Sequence, residues 1–222
     1  MTSDDWTAVA ISLKVASCAV LAGLPPAVAI GYLLARWQSS ARWVIEVFVN
    51  LPLVLPPVVT GYVLLVLLGR RGWLGVALER WLGVRVIFTW QAAALAAAIV
   101  AFPLMVRASR LAFQSVDVRL EQAARSLGAG RLDAMLTVAV PLAWRGMLAG
   151  AVLGFARSLG EFGATILVAG NIVGQTRTIP LAIYSRINRP DGIDTVWPLV
   201  LVSIALACGA LAISEFIERV HR

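Results

Sequence analysis

The sequence predicts an all-α membrane protein, a polytopic transmembrane helix bundle, on three observations. Of its 222 residues, 60% are hydrophobic and only 14% charged, where a soluble domain carries about 45–50% and about 25%. The mean hydropathy is +0.85. The apolar residues gather into five runs, residues 8–35, 44–68, 86–106, 147–168 and 196–216. Each is long enough to cross a hydrocarbon core roughly 30 Å thick. No polar stretch is large enough to fold alone, so residues 1–222 read as a single transmembrane domain.

The first run follows an N-terminus with Asp4 and Asp5 and no basic residue before Lys14, which is not the pattern of a secretory signal. Pro25 and Pro26 interrupt it. The second run holds Glu46 and Asn50 and is interrupted by Pro52, Pro56 and Pro57. Proline removes an intrahelical bond and kinks the helix. In lipid the freed carbonyls need protein or water. Such breaks suit a transport route, and plain helix bundles carry them too. The fourth run contains Arg157 and Glu161 at i, i+4, the spacing of a helical ion pair. Each alone near a span centre costs roughly 2.5–3.5 kcal/mol, so they are expected to pair. Two readings stay open: the helix lines a pathway at a subunit interface with Arg157 near a passing oxyanion, or the pair holds the bundle together. Gly150, Gly154, Gly160 and Gly163 make this helix smooth enough for a second helix to approach. Glu46 is read as structural, and Lys14 and Glu215 as snorkelling from span ends.

Arginines concentrate in residues 36–42, in the long loop at about 107–145 and in the C-terminal tail, which places these in the cytoplasm and the N-terminus outside. Residues 69–85, on the other side, hold Arg70, Arg71, Arg80 and Arg85, so the bias is modest. A sixth span would require residues 171–190 to cross. That segment is too polar, although residues 179–183 are apolar enough for a re-entrant dip.

Several chemistries lack their residues. The net charge is +7, and every basic residue but Lys14 is an arginine. The arginines suit cytoplasmic loops and lipid headgroups, and no soluble basic face exists for nucleic acid. Cys18 and Cys208 lie inside apolar runs and read as small core residues. His221 is the single histidine, so neither a metal site nor a Ser-His-Asp set is expected. A phosphate-binding loop needs lysine after glycine, and Lys14 follows Leu13. The chain is therefore expected to be no enzyme and to hold no cofactor.

One stretch does not belong in lipid. In residues 120–142, LEQAARSLGAGRLDAMLTVAVPL, Leu120, Ala123, Ala124 and Leu127 fall at i, i+3, i+4, i+7, one apolar helical face. Glu121 stands four residues before Arg125, a stabilising pair. Asp117 is placed to cap the start, Gly128 to end the helix, and Pro141 marks the start of the fourth span. A narrow face of small residues suits docking in a groove of another protein. An interfacial helix on the bilayer is the competing reading, and the alanines and the lack of an aromatic anchor count against it.

This stretch resembles the cytoplasmic EAA loop of bacterial ABC importer permeases. Ala123, Ala124 and Gly128 match, and Val138, Val140 and Pro141 follow the glycine at the family's spacing. The acidic position is occupied by Gln122, with Glu121 one residue early. The resemblance implies a bundle of the type I importer permease kind, with five spans or, if residues 171–190 cross, six. It implies that Leu120, Glu121, Gln122, Ala123, Ala124, Leu127, Gly128 and Pro141 form a coupling segment seated on an ATP-hydrolysing subunit. Residues 158–185 resemble the molybdate permeases, through Gly160-Glu161-Phe162-Gly163, Gly170-Asn171 and the later Gly174, Thr176 and Thr178. Sulfate and tungstate permeases share the Gly-Glu-Phe-Gly core. The resemblance implies a molybdate importer in a bacterial or archaeal cell membrane. Its implied partners are two ATP-binding cassette subunits, an extracytoplasmic molybdate-binding protein and a second copy of this chain. Arg157, Gly160, Glu161, Gly163 and Asn171 are the expected pathway or interface residues. A secondary transporter would instead need inverted repeats and proton-relay carboxylates, and neither is found.

Overall fold

The computed structural model describes residues 1–190 and 192–219, so His221 lies outside the described residues. All of its regular elements there are helical. The first, α1 (Ser3–Arg36), starts at Thr2, whose backbone N–H donates to Asp5 Oδ2 at 2.7 Å. It runs unbroken through Pro25 and Pro26. The expected interruption is absent because packing outweighs the local proline preference. Ala27 is fully buried, and Gly23 and Gly31 press against Met105 and Ser109. At 1.5 Å per residue α1 is about 51 Å long, enough to pass both headgroup layers.

The second run does break. Helix α2 (Arg42–Val54) is followed by α3 (Pro57–Leu68) at a bend of 107°. A residue before proline is pushed to extended backbone. Leu55 before Pro56 has ψ 139° and Pro56 before Pro57 has ψ 133°, and two extended residues in succession make a corner. A short helix, α4 (Trp73–Leu82), follows, and Gly83 ends it with φ +65°.

At the centre lies α5 (Trp90–Gln114), capped by Thr89, which accepts from the Ala92 N–H at 3.4 Å. Its alanines 92, 93, 96, 97 and 101 are buried. It packs chiefly against α1 on one side and α8 (Val140–Leu159) on the other. Lipid gives no hydrophobic drive between helices, so contact depends on close backbone approach. A Cβ added at Gly146, Gly150 or Gly154 would lie 2.5, 2.6 or 2.8 Å from atoms of Ala112, Ala108 or Met105. The smooth helix is therefore α8, and the helix it admits is α5 of the same chain.

Between α5 and α8 stand α6 (Val118–Ser126) and α7 (Arg131–Ala134). A π turn, Met135–Ala139, joins α7 to α8, closed by the Val140 N–H on the Met135 carbonyl. Pro141 has no N–H to offer Thr137, and the widened turn accommodates that loss. Pro141 thus does not start a span. Residues Arg131–Leu159 form one candidate span of 29 residues. The flanking helices also shorten the expected loop of residues 107–145, since α5 runs on to Gln114.

The fourth span ends earlier than its apolar run. After Leu159 the chain turns and restarts as α9 (Gly163–Val168), packed on α3. Then α10 (Ile179–Ile187), nine residues long, lies against the outer part of α1, its Ile179 N–H donating to Ser12 Oγ at 2.7 Å. It is too short to cross a bilayer. Last comes α11 (Gly192–Arg219), packed on α8 and α10. Among the described residues four helices are long and apolar enough to span a membrane, and the bent α2–α3 pair makes five.

Candidate functional site

The segment expected to couple is built as its residues predict at both ends. Asp117 accepts from the Arg119 N–H at 2.9 Å at the start of α6. At the other end Gly128 has φ +102°. The Gly128 N–H reaches the Arg125 carbonyl and the Ala129 N–H the Ala124 carbonyl, both at 3.1 Å. That pair of bonds is a Schellman stop, and the left-handed residue it needs is glycine.

Between these ends the helix is inside out. Leu120 is 48% and Leu127 91% exposed, and Ala123 is exposed beside them. Gln122, Arg119 and Arg125 are exposed too. The single buried residue of α6 is an acid, Glu121, at 6% exposure. Leu132 and Leu136 extend the uncovered apolar surface beyond Gly128. The helix thus shows its leucines and hides its carboxylate, the reverse of a helix packed only on its own chain.

The Glu121–Arg125 pair expected from spacing does not carry Glu121. Its Oε1 accepts from Arg36 Nε at 2.9 Å and from Arg36 Nη2, and its Oε2 accepts from the Tyr32 hydroxyl at 2.7 Å. Arg36 Nη2 also donates to the Val116 carbonyl at 3.2 Å. Arg36 and Tyr32 lie 85 and 89 residues away, so no local pattern could have named them. Glu121 therefore faces inward, and Gln122 holds the outward polar position on the helix.

The second candidate group sits where α8 ends. Arg157 Nη1 lies 3.0 Å from Glu161 Oε2, the pairing that their spacing predicts. The two do not share one helix near a span centre. Arg157 is in the last turn of α8, and Glu161 lies past the break. Glu161 Oε1 accepts from the Ala164 N–H at 2.9 Å and so caps α9. Glycine serves the close approach here: a Cβ on Gly163 would lie 2.9 Å from Pro57, and one on Gly61 2.7 Å from Ala164. The partner is α3 of the same chain. A Cβ on Gly160 would meet only the Arg157 carbonyl oxygen, at an ordinary 3.9 Å. Asn171 is engaged elsewhere. It donates to Ser185 Oγ and accepts from Arg177 Nε at 2.8 Å, fastening the loop before α10.

Two further sets join distant residues, apart from the i, i+4 pair Arg42–Glu46. Glu46, read as structural, is held at 2.9 Å by Arg42 and 2.8 Å by Arg110. Arg107 Nε donates to Asn50 Oδ1 at 2.7 Å, so one polar edge of α2 meets α5. At the opposite end of α1, Asp5 is buried and paired with Arg186 of α10. Lys14 lies 3.8 Å from the Trp90 ring centroid, a cation–π contact at a helix end.

Residues 27–222 match the family described as the binding-protein-dependent transport system inner membrane component. The molybdenum transport system permease protein ModB of Escherichia coli K12 is 51% identical over 222 residues, which covers 100% of this chain and 97% of that protein. ModB of Haemophilus influenzae is 47% identical, covering 97% and 94%. The putative molybdenum transport system permease protein YvgM of Bacillus subtilis is 38% identical, covering 91% and 90%. Among solved structures, a bacterial alginate ABC transporter superposes with TM-score 0.69 at 17% identity, over 100% of this chain and 80% of that one. The methionine ABC transporter MetNI superposes with TM-score 0.65 at 16% identity, over 98% and 99%. These two likenesses concern the fold.

Proposed function

Because the chain belongs to the inner membrane components of binding-protein-dependent transport systems, we propose that it forms the translocation pathway of a molybdate importer. It is a multi-pass inner membrane permease and not itself catalytic. An ATPase and a binding protein outside the membrane are its partners by membership in such a system. The observation that carries the mechanism is α6, which shows Leu120, Ala123 and Leu127 outward and buries Glu121.

In this reading two copies of the chain form the pathway, and each seats its α6 on one of two ATP-binding subunits. ATP binding draws those subunits together, the two α6 helices follow, and the pathway turns from inward-facing to outward-facing. Hydrolysis resets it. The extracytoplasmic binding protein delivers the oxyanion. The relatives named for molybdenum transport, from 38% to 51% identical over nearly the whole chain, support molybdate as cargo. Arg157 offers an accessible guanidinium at 35% side-chain exposure, while Glu161 behind it is at 2%. A dianion would be drawn towards Arg157 and released, because Glu161 already offsets most of its charge. The chain turns at Gly160 to put Glu161 there, Gly163 lets α9 pack on Pro57, and Asn171 braces the loop before α10.

The test is uptake of labelled molybdate into proteoliposomes that hold this chain with its ATPase, supplied with binding protein and internal ATP. The expected result is ATP-dependent uptake with sulfate a poor competitor. Sulfate uptake at the same rate would overturn the cargo assignment and leave the importer mechanism standing.

A further inference from the structure

Docking uses one face of α6, and the other face holds a device that docking does not require. The Glu121 carboxylate is saturated by α1: Arg36 on one oxygen, Tyr32 on the other. Tyr32 and Arg36 stand one turn apart on α1, and the Tyr32 ring is braced edge-on by buried Phe113 of α5 at 5.2 Å between centroids. Arg36 also grips the Val116 carbonyl just before α6. One guanidinium thus joins the turn that leads into α6, α6 itself and the inner end of α1.

The choice of an acid has a physical consequence. An apolar contact can slide, whereas charge-assisted bonds on a buried carboxylate are directional. Anchoring α6 through Glu121 also leaves Leu120, Ala123 and Leu127 free for the partner. Through α7 and the π turn, α6 is joined to α8 by a chain that contains the Gly128 stop. Its link to α1 contains no such turn. The far end of α1 is itself fastened to α10 by the Asp5–Arg186 pair.

We propose that Glu121, Arg36 and Tyr32 form a clamp that makes α6 and α1 move as one body. Displacement of a docked ATPase then reaches the outer face along α1, in addition to the route through α8. These are positioning residues. The proposal rests on the reading of α6 as the docking helix.

The test uses the assembled complex in proteoliposomes. The readout is the ratio of ATP hydrolysis with molybdate-loaded binding protein to hydrolysis without it. In E121A and R36A this ratio falls towards one while the chain still co-purifies with its ATPase. R36K, which keeps the charge, recovers part of it. Unchanged ratios in both alanine variants overturn the clamp. If the single variants fail to assemble, the reversed pair R36E/E121R decides: recovered stimulation supports the clamp, and none overturns it. Spin labels at Q38C and S126C, with Cys18 and Cys208 replaced, read the clamp without the partner. A single narrow distance that broadens in E121A supports it, and equal widths overturn it. Failure of the unaltered chain to assemble with an ATPase would remove the docking reading and leave the spin-label result to judge the clamp.

Discussion

Glu121 and Glu161 are both buried glutamates paired with arginine, and they do opposite jobs. Glu161 takes its partner from four residues back and caps the helix three residues ahead. Its bonds shape one local turn between α8 and α9. Glu121 takes partners from 85 and 89 residues back and joins two separate elements. A local pair defines a bend, and a distant pair defines which bodies move together. In a machine driven from one side of the membrane, the second kind carries force.

The largest effect is expected on the exposed side of α6, which the Glu121 anchoring sets free. A123E would bury a charge without a partner in the docking interface, at a cost of about 3 kcal/mol, roughly a hundredfold in affinity. Co-purification with the ATPase should fall accordingly while the chain itself remains folded. Next, E121A should lower thermal stability in detergent by an amount matching about 3 kcal/mol, because Arg36 is left with little solvent at 17% side-chain exposure. E161A should cost less, about 1–2 kcal/mol, since Arg157 at 35% exposure can turn to water. Equal losses for the two alanine variants, measured as shifts in melting temperature, would break the contrast. The smallest effect is at the cap: D117A should cost about 1 kcal/mol of α6 stability, visible as faster amide exchange confined to residues 118–126.

Local chemistry explains what was legible in the sequence. Asp117 and Gly128 act within a few residues and sit where their patterns place them, and Arg157 and Glu161 pair as their spacing predicts, though across the end of α8 and not on one helix. The apolar face of α6 was legible as periodicity. Helix continuity was less so. Pro25-Pro26 and Pro56-Pro57 look alike as residue pairs, yet α1 continues and α2 stops. The difference is tertiary, in the glycines at 23 and 31 that seat α1 on α5. The early end of α8 was hidden because residues 147–168 stay apolar on average despite Arg157 and Glu161, and hydropathy does not see the turn at Gly160. The partners of Glu121 were invisible for a stronger reason. They are set by the packing of α1 against α5, and an acid beside a helical arginine at i+4 offers a closer, mistaken choice.

The most direct test of the account is photocross-linking in the assembled membrane complex, with a reactive residue at position 127 and, as control, at position 6 near the opposite end of α1. Leu127 is 91% exposed and Trp6 60%, so both are free to react. The account predicts a cross-link from position 127 to the ATPase subunit and none to it from position 6. Products from position 127 with lipid alone would mean that α6 lies on the bilayer, and would contradict the account.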